Sequence, residues 1–314
     1  MAEPRVTVAV VPRERFSLWP HALESIAAHL DTACDVVVVD AGSPAEIEQL
    51  VRRICEQRGF RRLRLEGFVS PNEARNLAAR ETGSPFIVFV DNDVVVRPGW
   101  VDALLACADE TGAAVVGPLY LDGAPGSERV HMAGGLARIA VEDGRRVFRE
   151  KHHFARRSPA EVVPKLRRHE TESFEFHCAL VRRSVLGRLG PFDERLPSIN
   201  EHNDFAMAVR AGGGSVWCEP KAVVTYLSGR TLTPLDRSFF EWRWSDAANR
   251  ASVERFREKW QLDAHDPFLA NAVRWGRHHR ERGVKSLGWW RFVPERLVAA
   301  TARLRALPPL RPGA

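Results

Sequence analysis

Two carboxylates stand two residues apart at Asp91 and Asp93, with Asn92 between them and the apolar run 86–90 before them. Residues i and i+2 of an extended segment point to the same side, so both acids can address one ion. Mg²⁺ or Mn²⁺ prefers such oxygen ligands and can bridge them to a diphosphate that the carboxylates alone would repel. The triplet therefore predicts a diphosphate-binding cleft with Asp91 and Asp93 as metal ligands. An ordinary polar turn is the alternative, because Asp and Asn are common in turns.

The elements that must position this triplet are short apolar strands alternating with amphipathic helices. Strands are predicted at 6–11, 36–39 and 86–90, with a fourth beginning at Val115. This alternation is typical of an α/β fold with a mostly parallel sheet and helices on both faces. Ligands of such sheets bind at the carboxyl ends of the strands, where Asp40 and Asp91 both lie.

Two helix starts carry the same signal. Ser43 and Ser70 are each followed by proline and, three residues later, by glutamate, which predicts a capping box at both. Further along, 122–170 is irregular and predicts loops or short strands, and 174–182 predicts a strand. A helix is expected from about 200 to the glycines at 212–214. Short strands are expected at 215–218 and 222–226, and one long helix at 238–260.

Four segments, in order, resemble the motifs of family 2 glycosyltransferases, which have the GT-A fold. Residues 36–43 are similar to "VVVDxGS", and 72–76 to "xxARNxG". Residues 86–100 are similar to "FLDDDxxxxPxWL", and 192–214 to "FDExxxxxEDxDLxxRxxxxG". The resemblance implies a GT-A domain at 1–230, with a Rossmann-like central sheet. Its nucleotide-sugar-binding half would be 1–120 and its acceptor-binding half 121–230, followed by a helical C-terminal extension at 231–314.

The resemblance also implies transfer of a sugar, with inversion, from a UDP- or GDP-sugar to a hydroxyl of a glycan, a lipid-linked or a small-molecule acceptor. Mn²⁺ or Mg²⁺ would assist. Asp40 and Arg75 match donor-contacting positions, as does the triplet Asp91, Asn92 and Asp93. A nucleotidyltransferase of related fold, or a sugar-nucleotide-binding relative without turnover, remains open. Dinucleotide-dependent oxidoreductases and P-loop enzymes are excluded, because their glycine-rich motifs are absent.

The acceptor side departs from the family pattern at two points. The family usually has Glu-Asp at the start of this helix, with the Asp as general base, but this chain has Glu201, His202, Asn203 and Asp204. Glu201, His202 and Asp204 all stay open as the base, since imidazole and carboxylate can both accept a proton.

The second departure is Tyr226, which stands where related enzymes often carry a metal-binding histidine. His131 and His177 are the remaining histidines expected near the site. A structural role is the favoured interpretation for both.

Composition and charge indicate the cellular compartment and the type of surface. Five scattered cysteines, no evident signal peptide and no apolar run of about 20 residues predict a cytoplasmic enzyme. Residues 273–314 contain ten Lys and Arg against two Glu, a net +8, so the rest of the chain carries −2 of the total +6. This distribution argues against a nucleic-acid surface.

Within that basic tail, tryptophans and Phe292 alternate with arginines. Such segments are typical of peripheral contact with an anionic membrane. A solvated helix docked through its tryptophans is the alternative.

Overall fold

The computed structural model describes residues 4–30, 32–124 and 126–293. Its strands are β1 (Val6–Val11), β2 (Asp35–Ala41), β3 (Arg61–Leu65), β4 (Phe86–Asp91), β5 (Val94–Val96), β6 (Val115–Asp122), β7 (Arg129–Met132), β8 (Gly135–Glu142), β9 (Arg145–His152), β10 (His169–Thr171), β11 (Cys178–Arg182) and β12 (Val216–Tyr226). Its helices are α1 (Trp19–Ala28), α2 (Ala45–Arg58), α3 (Pro71–Arg80), α4 (Trp100–Thr111), α5 (Pro159–Val162), α6 (Arg183–Leu189), α7 (Glu201–Ala211), α8 (Arg237–Arg243), α9 (Asp246–Trp260) and α10 (Pro267–Ser286).

One large sheet runs in the order β10-β12-β6-β11-β4-β1-β2-β3, with β5 on β12 and β7 on β6. Strands β3, β2, β1 and β4 are parallel, as are β6 and β12, while β11 runs antiparallel between β4 and β6. Strands β8 and β9 form a separate two-stranded ribbon. The predicted α/β fold with a mostly parallel central sheet is confirmed.

Both faces of this sheet are buried. Val8, Val38 and Val88 face a core shared with α1, α2 and α4, whereas Ala9 and Ile87 face a second core shared with α3, α6 and α7. Burial on both faces explains why the strands read as continuous apolar runs rather than as alternating ones.

The C-terminal helices are present as predicted, but 238–260 is not one helix. The chain breaks between α8 and α9, where the Ser245 side chain accepts a hydrogen bond from the Ala248 N–H and caps α9. Helix α10 covers residues 273–286 of the basic tail, and 294–314 lies outside the described residues. Among the described helices, none combines the length and apolar character needed to cross a membrane. Strands from residues 1–120 and from residues 121–230 belong to one sheet. The division into a nucleotide-sugar-binding half and an acceptor-binding half stays a prediction.

Irregular sequence misled the prediction in the middle of the chain. Residues 135–152, expected as loops or short strands, form the regular β8–β9 ribbon, and the predicted strand at 174–182 begins only at Cys178. The preceding loop has a backbone hydrogen bond to a strand near each end and is held between them by a side chain. The Tyr120 hydroxyl bonds the backbone of Glu175 and Cys178. The loop 172–177 is therefore free to present side chains at the edge of the sheet.

The two matching cap signals have different outcomes. Ser70 forms the full capping box with Glu73 at the start of α3. The prediction for Ser43 is wrong, because α2 begins at Ala45 with Pro44 at its N-cap. The Ser43 hydroxyl is buried and finds no hydrogen-bond partner among the described residues.

These two serines provide a matched test. Ser70→Ala removes the bond to the Glu73 N–H and should lower the free energy of unfolding by about 1 kcal/mol. Ser43→Ala removes no hydrogen bond and should change it by less than about 0.5 kcal/mol. Urea denaturation of both variants measures the difference. Equal losses would contradict the assignment of the cap to Ser70 alone.

Candidate active site

Strand pairing places the acidic triplet between two neighbouring segments. In the register of β1 and β4, Val11 lies beside Asp91, and the Asn92 N–H donates to the Val11 carbonyl at 2.9 Å. On the other side, the Asp91 N–H donates to the His177 carbonyl at 3.0 Å. The loop 12–15 and the loop 172–177 therefore meet at the tip of β4.

Asp91 is fully buried and well partnered. Its carboxylate accepts from Arg75 and Arg13, each at 3.1 Å, and lies 3.4 Å from His177 Nδ1. Burial opposes ionisation, but His177 and the two guanidinium groups outweigh it and hold the pKa of Asp91 below its usual value. Arg75 is fixed in turn by stacking on Phe176, 4.0 Å from the ring centre. The structure thus brings Arg75 and Asp91 together, as the predicted donor site requires.

Asp93 is equally buried but has no partner. Neither carboxylate oxygen finds a hydrogen bond within the described chain. Burial, and after it the carboxylate of Glu14, raises the pKa of Asp93 to about 8. A buried carboxylate without a donor is costly unless a cation neutralises it.

A metal ion fits this position. Ligand atoms of Asp91, Asp93 and His177 lie within 4.8 Å of one another. Two carboxylates and an imidazole suit a divalent ion such as Mn²⁺. Tyr226, at the end of β12, stacks on His177 with 4.2 Å between ring centres, and the histidine beside the two acids comes from the loop 172–177.

Asn92 has a different place from its neighbours. Its Oδ1 accepts from the Arg13 N–H and its Nδ2 donates to the Arg15 carbonyl, both at 2.8 Å. Both ends of the amide are therefore used to shape the loop 12–15 over the triplet.

Glu14, which the sequence did not suggest, joins that loop to the C-terminal helices. This fully buried carboxylate accepts from the Tyr226 hydroxyl, Trp244 Nε1 and His279 Nε2, each at 2.9 Å, and pairs with Arg15 at 2.9 Å. Burial opposes ionisation, but Arg15 and His279 hold the pKa of Glu14 well below its usual value. The C-terminal extension is thus tied directly to the site.

Several arginine donors beside the triplet lack acceptors. The Nε atoms of Arg13, Arg15, Arg75 and Arg243, together with Arg243 Nη1, are buried without a hydrogen-bond partner in the described ranges. Burial lowers the pKa of Arg243 to about 10, with a further contribution from the positive charges of Arg13 and Arg75. The site therefore contains guanidinium donors that could bind an anion, next to a carboxyl group that could bind a cation.

The predicted cleft is closed in this structure. Asp91, Asp93 and Arg75 have no exposed surface. A cleft of about 500 Å³ lies instead at the opposite edge of the sheet, lined by Ala114, Arg182 and Gly214 among others. A ligand can reach Asp93 only after a covering segment moves.

Helix α7 carries the predicted acceptor-side residues. It starts after Asn200, whose φ of 67° is left-handed, a conformation that asparagine tolerates better than most residues. Glu201 pairs with Arg243 at 3.2 Å. Asp204 accepts from Lys259 at 2.7 Å and from Trp260 Nε1 at 2.9 Å. Both acids therefore bind the C-terminal helices.

His202 projects to the other side, into a group of carboxylates. Its Nε2 lies 3.1 Å from Glu150 and its Nδ1 lies 3.6 Å from Glu175. Burial favours the neutral ring, but Glu175 and Glu150 outweigh it and raise the pKa of His202 to about 9. The sequence did not suggest either glutamate, because Glu150 lies in the irregular segment 122–170 and Glu175 lies in 174–182, which predicts only a strand.

Asp40 lies apart from the triplet. Side chains alternate along a strand, so Asp40 shares the face of Val38 while Asp91 shares that of Phe89. Asp40 pairs there with Arg62 at 2.9 Å and with Arg64 at 3.2 Å. The two predicted donor-binding acids are at the same edge of the sheet but on opposite faces.

Comparison with known proteins identifies the family. The family model for glycosyl transferase family 2 covers residues 13–190, more than half of the chain. The chain belongs to glycosyltransferase family 2. It is 29% identical over 199 residues to the pre-mycofactocin glycosyltransferase of Mycobacterium tuberculosis, a match that covers 61% of this chain and 37% of that protein.

A second relative is the succinoglycan biosynthesis protein ExoO of Rhizobium meliloti. It is 29% identical over 233 residues, which cover 71% of this chain and 60% of ExoO. The family 2 chain therefore spans less than two thirds of the length of either relative.

Solved structures show the same fold. GalNAc-T7 with UDP, GalNAc and Mn²⁺ superposes with a TM-score of 0.57 at 15% identity, covering 86% of this chain and 57% of the other. The mannosyltransferase PcManGT of Pyrobaculum calidifontis, with GDP-Man and Mn²⁺, gives 0.54 at 17% identity, covering 98% and 78%. These likenesses confirm the GT-A fold of this family 2 member.

Proposed function

We propose that this family 2 member transfers a sugar from a nucleotide-diphosphate sugar to an acceptor hydroxyl, assisted by Mn²⁺ or Mg²⁺ and with inversion. One observation carries the proposal: the partnerless Asp93 carboxylate lies beside arginine donors that lack acceptors. A metal-bound diphosphate supplies both missing partners at once. The names of the relatives and the ligands of GalNAc-T7 and PcManGT support the same chemistry.

The donor's diphosphate would be held by residues of this chain from three sides. Asp91, Asp93 and His177 would hold the metal ion, which supplies compensation for the negative charge of the leaving diphosphate. Arg13, Arg75 and Arg243 would donate to phosphate oxygens, to which guanidinium groups bind in a fixed geometry.

The nucleotide is assigned to the edge formed by β2 and the loop 12–15. Asp40 would contact the nucleobase, with Arg62 and Arg64 fixing the position of its carboxylate. Asn92 would act by shaping the loop 12–15, since both ends of its amide bind that loop.

For the acceptor, we assign the proton to the His202–Glu150 pair. Glu201 and Asp204 are engaged with cations of the C-terminal helices, so His202 is the one of the three candidates that lies beside Glu150 and Glu175. Because its pKa is raised to about 9, His202 would act as the base in its neutral form, and the proton of the acceptor hydroxyl would pass to its ring beside Glu150. The hydroxyl oxygen would then attack the anomeric carbon opposite the diphosphate.

Asp93→Asn tests the metal role. The rates of transfer and hydrolysis are measured with a panel of UDP- and GDP-sugars, with and without Mn²⁺. In the variant the Mn²⁺-dependent rate should fall by roughly 100-fold or more relative to the wild type, because charge compensation at the diphosphate is lost. The free energy of unfolding at pH 8 should stay equal or rise, because the variant removes a buried carboxylate that has no partner.

Asp109→Asn is the matched control, since Asp109 is a half-exposed acid that pairs with Arg5 away from the site. It should keep wild-type rates. Undiminished Mn²⁺-dependent transfer in Asp93→Asn would refute the metal assignment.

Three variants test the acceptor side. His202→Ala and Glu150→Gln should each lower kcat by roughly 100-fold while nucleotide-diphosphate binding is retained. His202→Asp places a carboxylate where the family usually has its base and should recover much of the rate. Steady-state kinetics with calorimetric measurement of nucleotide binding separates the two effects. Wild-type kcat in His202→Ala would rule out the pair.

We also assign the exposed aromatics after α10 to an anionic membrane surface. Trp289 and Phe292 are 64% and 74% exposed, while Trp290 packs against the C-terminal helices. Basic residues such as Lys285 and Arg291 are their neighbours in the sequence. Each basic charge contributes about 1 kcal/mol of binding free energy near a negative leaflet.

Vesicle sedimentation tests this contact. The double variant Trp289→Ser and Phe292→Ser should bind vesicles containing phosphatidylserine more weakly than the wild type, and Val141→Ser, which changes a 70% exposed residue of β8, should not. Equal binding of wild type to purely zwitterionic vesicles, or no loss in the double variant, would contradict the assignment.

A further inference from the structure

Three segments distant in sequence converge beside the candidate active site. They carry His131 on β7, His152 at the end of β9 and Glu175 in the loop 172–177, and their ligand atoms lie within 4.8 Å of one another. Two glycines make the approach possible. A Cβ at Gly134 would lie 2.6 Å from His169, and one at Gly135 would lie 2.7 Å from the Lys151 carbonyl. The ribbon can therefore fold back onto β7.

The spacing of these ligand atoms suits an ion better than hydrogen bonds. Glu175 Oε1 lies 3.8 Å from His131 Nε2 and 3.6 Å from His152 Nε2. Hydrogen bonds of this type are about 2.9 Å long, whereas a tetrahedral ion with bonds of about 2.0–2.1 Å separates its ligands by roughly 3.3 Å. His131 Nε2 is buried, and no hydrogen bond to it forms within the described residues.

We propose that His131, His152 and Glu175 form a second metal site, selective for Zn²⁺ or an ion of similar ligand preference. Two imidazoles and one carboxylate are a donor set that Zn²⁺ favours over Mg²⁺. Three protein ligands leave a coordination position open, which is typical of catalytic and not of structural zinc.

The proposed site adjoins the diphosphate site without sharing its ligands. The His131 ring packs edge-on against the His177 ring at 5.3 Å, and His177 lies 3.4 Å from Asp91. On the other side, His152 Nε2 lies 3.5 Å from Glu150. The proposed site thus lies between His177, assigned to the donor side, and Glu150, assigned to the acceptor side.

A network of ion pairs is the competing explanation. Without an ion, Glu150 and Glu175 can pair with protonated His152 and His202, and the charges balance. Such a network stabilises the fold but has no specific affinity for Zn²⁺. Metal binding therefore separates the two explanations.

The experiment measures Zn²⁺ binding to the chelator-treated full chain, without a polyhistidine tag, by calorimetry and elemental analysis. It uses the Asp93→Asn background, which disables the first site. One tight equivalent of Zn²⁺ should remain in that background, and His152→Ala or Glu175→Gln should weaken it by at least about tenfold. Co²⁺ should give a visible spectrum that the same variants abolish.

His278→Ala is the matched control, because His278 is exposed on α10 and pairs with Glu281 of the same helix. It should leave Zn²⁺ affinity unchanged. Circular dichroism without metal checks that each variant is folded. If His152→Ala does not fold, Glu175→Gln still tests the site, because glutamine keeps the shape of the glutamate side chain. No binding in the Asp93→Asn background, or affinity unaffected by both ligand variants, overturns the proposal. The readout is independent of sugar transfer, so it is separate from the proposed function.

Discussion

The buried, partnerless carboxyl group of Asp93 is the constraint around which this site is arranged. Asp91, two residues away, has two arginines and a histidine as partners, yet Asp93 has neither a donor nor exposed surface. Burying a carboxylate in this way is unfavourable unless a cation arrives with the ligand. The neighbouring arginines have the opposite deficit, since Arg243 and others hold donors without acceptors. Both deficits are met by one ligand class, a metal-bound diphosphate, which is also the leaving group of the proposed transfer.

The C-terminal helices are part of this site and not an appendage to it. The family model ends at residue 190, but Arg243, Trp244 and His279 lie beyond it and reach the triplet or the loop above it. Glu14 accepts hydrogen bonds from Trp244 and His279 and so holds the loop 12–15 and the helices together. The same contacts fix the position of the loop 12–15, whose Arg13 contacts Asp91.

On the proposed acceptor side, carboxylates from other segments lie beside the histidine that stands in place of the family's usual aspartate. His202 stands where the family usually has an aspartate, and Glu150 and Glu175 bring carboxylates to it from the β8–β9 ribbon and the loop 172–177. The same two segments supply His152 and Glu175 to the proposed zinc site. His202 thus has its carboxylate neighbours on other segments, while Glu201 and Asp204 of α7 pair with the C-terminal helices.

The sequence by itself determined what depends on neighbours along the chain. Buried strands appear as apolar runs, and the Asp91–Asp93 pair at a strand tip and the Ser70 capping box follow from local spacing. Only the tertiary structure decided which side chains meet. Ser43 and Ser70 carry the same signal, yet only one caps a helix. His177, Glu14 and Arg243 come to the triplet through strand pairing and helix docking across the chain. The physical reason is that such contacts depend on the packing of distant segments, and local periodicity contains no record of that packing.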